Sequence, residues 1–437
     1  MKCCVIIPVG PGHQDIVSRA KDSVARAVAH GQGAFNEIQV LEMDDSQGLL
    51  GRSHVRNLAV KEAGNRGIDW LFFLDADDVM CPSAFVDVAS LLPTHDAIWG
   101  AIFVADLKAG QVSRRENQIS PIDSLEQVLL NDPYLTLQMG HFVRQGVAEA
   151  NAFNTELDTG EDFDYYLRLW KDQRCVKIDT PLFLNIRGQH STGPRAASGN
   201  DWREAINQVF ADFCRNNDVV ASIPLREGSL SLRLSNTLDP IQTLLAGERL
   251  HDGEELIEVL RRLPQDAQLI DVGAHLGSHS LFLALAANAA SLDSYEVNPE
   301  LAQYLEYNLR LNELDPERYR AHQIIVGAGP NNPDKAESLF GRMDLKDYSQ
   351  AQGSALDSLH PETGCHLLRI DRPGLEIGIL RGARDLIERN RPLILVRATN
   401  DNKDRLVSWS VENGYQVARA FEYTLSTNYL LAPNKGA

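Results

Sequence analysis

Short apolar runs alternate with amphipathic stretches along the chain, and the alternation comes in two series. Brief apolar runs bounded by Gly, Pro, Asn or Asp read as buried strands. Apolar positions recurring at three- and four-residue spacing read as helices. In the first series the pattern predicts strands Cys4–Pro8, Ile38–Met43, Trp70–Leu74, Ala97–Val104 and Cys175–Ile178, with helices over Gln14–Ala29, Ser53–Ala63 and Trp202–Arg215. In the second it predicts strands Leu269–Val272, Ser291–Glu296, Ala321–Val326, His366–Ile370 and Pro392–Val396, with helices over Ser278–Ala287 and Pro299–Leu311. Strands and helices in alternation build α/β layers. The stretch Asn216–Asp239 is polar and mixed, and the domains are placed at 1–218 and 219–437.

Composition narrows this picture only slightly. The 437 residues suit two or three domains. Lys and Arg number 42 against 60 Asp and Glu, a formal charge of −18 that works against nucleic acid and anionic lipid as partners. No apolar run approaches the ~20 residues of a membrane span. Cys3–Val9 is too short for a secretion signal and reads as the first strand. The six cysteines lack paired metal-site spacing, so free thiols in the cytoplasm are expected.

The densest chemistry in the first series is Asp75-Ala76-Asp77-Asp78, directly after the apolar run Trp70–Leu74. Ligands of open α/β sheets bind at that strand end. Asp75 and Asp77 have strand parity and are expected on one side. Packed carboxylates need a counter-charge, which a divalent cation supplies while a diphosphate fills its remaining positions. Asp44-Asp45-Ser46 also follows an apolar run, and Gly51-Arg52-Ser53 opens a helix with Ser53 as its expected cap. Thr159-Gly160-Glu161-Asp162 leads into another helix, and His190 sits in a polar loop.

The order Val5-Ile6-Ile7-Pro8-Val9, Asp44-Asp45-Ser46, Arg56-Asn57, Asp75–Asp78, Gly160-Glu161-Asp162, His190 resembles the inverting family 2 glycosyltransferases with the GT-A fold, over about residues 1–215. The resemblance implies a nucleotide-sugar donor, a UDP-sugar or similar, and a carbohydrate or other hydroxyl acceptor. It implies that Pro8, Arg56 and Asp44 or Asp45 lie on the donor, the aspartates reading the base, and that Asp75 holds the ribose side. It places Mn²⁺ or Mg²⁺ on Asp77 and His190, and makes Asp162, beside Glu161, the general base.

In the second series Asp271-Val272-Gly273-Ala274-His275-Leu276-Gly277 is a glycine loop between a strand and a helix. Its G-x-x-x-G spacing departs from the dinucleotide fingerprint. Glu296, at the end of the next strand, has the position of an acid that accepts ribose hydroxyls. These residues resemble the FkbM family of S-adenosylmethionine-dependent methyltransferases over about residues 235–432. Tyr295-Glu296-Val297-Asn298, Leu356-Asp357-Ser358-Leu359 and Arg369-Ile370-Asp371-Arg372-Pro373-Gly374-Leu375-Glu376 carry the resemblance further. It implies a Rossmann-like class I methyltransferase fold, with Asp271, Gly273, His275, Gly277, Glu296 and Asn298 at the cofactor and Asp371 and Glu376 near the methyl acceptor. Pro373 and Arg397 stand where that family carries acidic residues, and His275 where Asn is common. The expected enzyme is bifunctional, a glycosyltransferase joined to a sugar O-methyltransferase. The alternative is a glycosyltransferase whose second half only binds or oligomerises.

Overall fold

The computed structural model describes residues 1–187, 199–329 and 353–434. It divides into two compact units, Met1–Asn217 with Asn236–Asp239, and Asp218–Ser235 with Pro240–Ala437. The strands of the first unit are β1 (Lys2–Val9), β2 (Glu37–Asp44), β3 (Trp70–Phe73), β4 (Val79–Met80), β5 (Ala97–Trp99), β6 (Phe103–Asp106), β7 (Gln111–Arg114), β8 (His141–Arg144), β9 (Cys175–Lys177) and β10 (Phe183–Arg187). Its main sheet runs β2-β1-β3-β8-β5-β9, and a smaller one runs β4-β10-β6-β7. Within the main sheet β8 is antiparallel to both neighbours.

β1 is apolar almost throughout because it is covered on both faces. Cys3, Val5, Ile7 and Val9 enter one core with Phe72, Phe85 and Phe142, and Cys4 and Ile6 are buried on the other side. The parallel register sets Val9 opposite Asp44, and the Asp45 N–H donates to the Val9 carbonyl at 2.8 Å. The carboxyl ends of β2, β1 and β3 therefore open onto one edge.

The strand expected over Ala97–Val104 is in fact two strands, in different sheets. A Cβ on Gly100 would lie 2.6 Å from the Leu182 nitrogen and 2.7 Å from the Thr180 oxygen, so the chain breaks where no side chain fits. β4 spans two residues and β7 is exposed along its length, so neither leaves an apolar run in the sequence.

The second unit begins with a hairpin, β11 (Val220–Pro224) and β12 (Ser229–Arg233), inside the stretch that reads as polar. Ala221, Ile223, Leu230 and Leu232 point inward and alternate with exposed or half-buried residues. Its sheet comprises β13 (Gln268–Val272), β14 (Ser291–Tyr295), β15 (Tyr319–His322), β16 (Leu367–Ile370), β17 (Leu393–Thr399), β18 (Tyr415–Glu422) and β19 (Ser426–Pro433). The order is β15-β14-β13-β16-β17-β19-β18, parallel from β15 to β17, with β19 antiparallel to both neighbours. Leu269, Leu292, Leu367, Leu395 and Leu430 fill one face. Ile270, Leu368, Ile370, Ile394, Val396 and Leu431 fill the other. The strand expected over Ala321–Val326 ends at His322, and Val326 makes only an isolated bridge to Ser354. The second sheet is Rossmann-like, its order reversing between β13 and β16. Among the described residues no helix is long and apolar enough to cross a membrane.

Candidate active sites

In the first unit a cleft of about 1040 Å³ opens at the shared strand edge, lined by Pro8, Asp45, Arg56, Asp75, Asp77 and Asp162 among others. The carboxylates do not converge by strand parity. β3 ends at Phe73, and the Asp78 N–H donates to the Asp75 carbonyl at 3.0 Å. That turn gathers Asp75, Asp77 and Asp78 so that one oxygen of each lies within 4.8 Å of the others. Burial, and then Asp75, push the Asp77 carboxyl up to about 6. Asp78, which sequence reading left without a role, is fully buried. Its Oδ1 accepts from the Ile186 N–H at 2.9 Å and from Asn185 Nδ2 at 3.1 Å, fastening β10 beneath the cluster.

Arg56 is the counter-charge already present. Its Nη2 donates to Asp75 Oδ1 at 3.0 Å and its Nη1 to Glu161 Oε1 at 3.2 Å. Arg52 Nε adds a second contact to Glu161 at 3.4 Å. Glu161, almost wholly buried, is thereby engaged in ion pairs, and both it and Asp162 line the cleft. Both stand at the start of the helix Glu161–Asp172, whose N-cap Gly160 takes the left-handed conformation at φ +83°.

Other expectations change. Of Asp44 and Asp45, only Asp45 lines the cleft. The Asp44 side chain accepts from the Ser46 N–H at 2.9 Å in an exposed turn. Asp45 organises its own loop, accepting from the N–H groups of Leu49, Leu50 and Gly51 at 2.9, 3.0 and 2.9 Å. Ser53 does not cap its helix, which begins at Arg52 behind Gly51 at φ +79°, and the Ser53 hydroxyl is buried. His190 lies outside the described residues. His13, not singled out from sequence, lines the cleft with its Nε2 buried.

In the second unit the glycine loop leaves β13 with Gly273 at φ +89°, His275 at +56° and Gly277 at +95°. Glu296 ties the loop to the end of β14. Its Oε2 accepts from the His275 N–H and its Oε1 from the Asn298 N–H, both at 2.9 Å. Asn298 caps the helix Pro299–Leu311 through the Glu300 and Leu301 N–H groups. Asn308, on that helix, donates to the Leu276 carbonyl at 2.9 Å and accepts from the Arg233 N–H at 2.8 Å, joining the loop to the hairpin.

Asp271 accepts from Ser280 Oγ at 2.5 Å and from Arg369 Nη1 at 2.8 Å. Arg369 also reaches Asp371 Oδ2 at 2.6 Å, and Arg397 Nε lies 3.2 Å from Asp371 Oδ1. Arg397 pairs as well with Asp252 at 2.5 Å. Burial opposes ionisation of Asp371, but Arg397 and Arg369 outweigh it and hold the group down at about 2. Asp252, His279 and Asp371 have metal-like spacing, yet the two guanidinium groups supply the positive charge. The void beside them is about 10 Å³, at the lower limit for one water. Glu376 is fully buried, not exposed toward an acceptor, and burial raises its pKa.

The second unit thus carries a glycine loop after the first strand of a Rossmann-like sheet and an acid after the second. Residues 271–417 match the methyltransferase FkbM domain. The N-terminal half is similar to the crystal structure of Staphylococcus aureus TarS 1–349 in complex with UDP-GlcNAc, with 16 % identity over 50 % of this chain and 68 % of that one and a TM-score of 0.38. The chain is also similar to the ribosomal protein L11 methylase of Lactobacillus delbrueckii subsp. bulgaricus, with 12 % identity over 42 % of this chain and 79 % of that one and a TM-score of 0.30. An rRNA methylase of Streptococcus thermophilus shows 9 % identity over 42 % of this chain and 95 % of that one, with a TM-score of 0.29. Comparison with curated proteins gives no match.

Proposed function

We propose that the chain is a two-domain transferase. Its first unit transfers a sugar from a nucleotide-sugar donor to an acceptor hydroxyl with inversion, and its second O-methylates a sugar or related hydroxyl using S-adenosylmethionine. The observation that carries the first half is the gathering of Asp75, Asp77 and Asp78 within 4.8 Å at the end of β3, in the cleft that Asp162 also lines.

Asp162 takes the proton of the acceptor hydroxyl as its oxygen bonds to the anomeric carbon. The bond from that carbon to the donor's diphosphate breaks on the opposite face, so the configuration inverts. Arg56 pairs with Asp75, while Asp77, partly offset by His13 and Arg19, and the buried Asp78 offer oxygens to the same point, a donor set that fits a hard divalent cation. Bound there, Mn²⁺ or Mg²⁺ supplies positive charge to the departing diphosphate. Asp45 keeps the loop at the β2 end shaped for the nucleoside.

The second unit's residues fit an adenosine cofactor. Glu296 is held by two backbone donors and retains lone pairs for ribose hydroxyls. The His275 ring Nδ1 beside it is buried without a hydrogen-bond partner among the described residues. S-adenosylmethionine, when bound, supplies an electrophilic methyl group. The chain's part is to hold the ribose at Glu296 and to keep the loop turned through Gly273 and Gly277.

The grip of Arg369 and Arg397 on Asp371 favours a second reading for this unit, binding without methyl transfer, because a carboxylate held near 2 is a poor base. One screen tests both halves. Donor hydrolysis across nucleotide sugars is expected to require Mn²⁺ and to vanish in Asp77→Ala. Calorimetry with S-adenosylmethionine is expected to give micromolar binding that Glu296→Ala abolishes. Hydrolysis indifferent to metal and to Asp77 would overturn the first half, and no heat at millimolar cofactor the second.

A further inference from the structure

The carboxylates occupy one part of the first unit's cleft, and the chemistry next to the proposed base is aromatic. Trp202, on the helix Gly199–Asn217, lines the cleft together with Tyr134 and Asp162. The Trp202 ring stands edge-on to Phe163, the residue after Asp162, with centroids 6.4 Å apart at 77°. Tyr134 stands edge-on to Trp202 at 6.3 Å and 81°. Arg115 fixes the Tyr134 ring. Its guanidinium lies 4.2 Å over the ring centroid, and it donates to the Tyr134 carbonyl at 2.6 Å and to Gln138 Oε1 at 2.8 Å.

Both rings are only partly buried, whereas Phe163, Tyr165, Tyr166 and Trp170 of the neighbouring helix are wholly enclosed. Half-exposed Trp and Tyr in a polar cleft suit a ligand that is apolar on one face and polar at its edge. A sugar ring is such a ligand, with C–H groups on its faces and hydroxyls around its rim. A lipid chain needs a continuous apolar groove, which Arg115, Asp132, Gln138 and Arg203 interrupt here.

We infer that Trp202 and Tyr134 form the acceptor subsite, and that the acceptor is a saccharide end whose ring packs on Trp202 against Tyr134, with a hydroxyl directed at Asp162. This rests on the glycosyl-transfer reading of the same cleft. Arg115 is a positioning residue, acting through Tyr134.

The test is saturation-transfer NMR on the full chain, with maltose, cellobiose, diacetylchitobiose and a glucuronyl disaccharide as probes and UDP–Mn²⁺ binding measured in parallel. At least one disaccharide is expected to show saturation on its ring protons. Trp202→Ala is expected to weaken that disaccharide about tenfold and UDP by less than about twofold, and Trp202→Phe to recover most of the loss. Wild-type protein that binds UDP but none of the saccharides overturns the subsite and leaves the donor reading standing. Saccharide binding unchanged in both Trp202→Ala and Tyr134→Ala also overturns it. Protein that binds neither UDP nor saccharide overturns both readings, and saccharide binding lost in Trp202→Ala without any UDP binding supports the subsite alone.

Discussion

Arg56 and Glu161 meet at 3.2 Å although 105 positions separate them, and both are buried. The pair joins the helix Arg52–Asn65 to the start of the helix Glu161–Asp172 directly under the cleft. Breaking a buried pair from one side strands the other charge and costs about 3–5 kcal/mol. Arg56→Met takes the buried partner from two carboxylates, Asp75 and Glu161, leaving Glu161 the more exposed Arg52, and is expected to lower the urea midpoint of the first unit's transition accordingly. Glu161→Gln keeps a neutral acceptor for Arg56 and is expected to cost less than half as much. Equal losses in the two variants would contradict this account.

The proposed reaction gives the neighbouring carboxylates at positions 161 and 162 separate tasks. Asp162→Asn is expected to leave nucleotide binding intact and to slow transfer by roughly 10²–10⁴-fold, the usual worth of a positioned base. Glu161→Gln is expected to act mainly through stability. Rates compared at a temperature where both variants are fully folded decide the matter. A larger rate loss in Glu161→Gln than in Asp162→Asn would reverse the assignment.

His141 gives a pH dependence. Its ring stacks on Trp99 at 4.4 Å, both ring nitrogens are buried without hydrogen-bond partners among the described residues, and burial, then Arg56, push it down to about 3. Between about pH 3 and 6.5 the unfolded chain takes up a proton here that the folded chain refuses. Folding therefore loses about 1.4 kcal/mol for each unit that the pH falls through this window. The stability difference between His141→Phe and wild type is expected to be constant above pH 7 and to move about 2 kcal/mol in the variant's favour by pH 5. Parallel curves for the two proteins from pH 7 to 5 would exclude this role.

The glycine loop makes opposite predictions at two positions. A Cβ on Gly273 would lie 2.3 Å from the Asp371 carbonyl oxygen at φ +89°, so Gly273→Ala is expected to destabilise the second unit and abolish cofactor binding. His275 holds φ +56° with a full side chain, a conformation that Asn tolerates better. His275→Asn is expected to raise the second unit's stability by up to about 1 kcal/mol, read from the urea midpoint. A drop there would mean that the ring makes a contact worth more than the strain.

Much of this was legible because the residues concerned are local. An apolar run followed at once by carboxylates gave the end of β3, and strand, glycine loop and acid gave the ends of β13 and β14. The matched FkbM segment, residues 271–417, lies inside the span from which that resemblance was read. What escaped depends on distance in the chain or on short pieces. Asp252, Arg369, Asp371 and Arg397 meet only in space, so the charge balance around Asp371 has no local signature. The hairpin β11–β12 carries an alternating pattern, but Pro224 and the flanking polar residues masked it. Asp75 and Asp77 come together through a turn and not through the parity of an extended strand.

β19 lies between β17 and β18, although it follows both in sequence. During synthesis the earlier strands can pair as they emerge, but the sheet ends at β17 until residues 426–433 have left the ribosome, because β18 joins it through β19. Until then β17 exposes the edge that β19 will occupy and β18 has no strand to pair with, so a nascent chain stalled before that point presents an adhesive border to its neighbours.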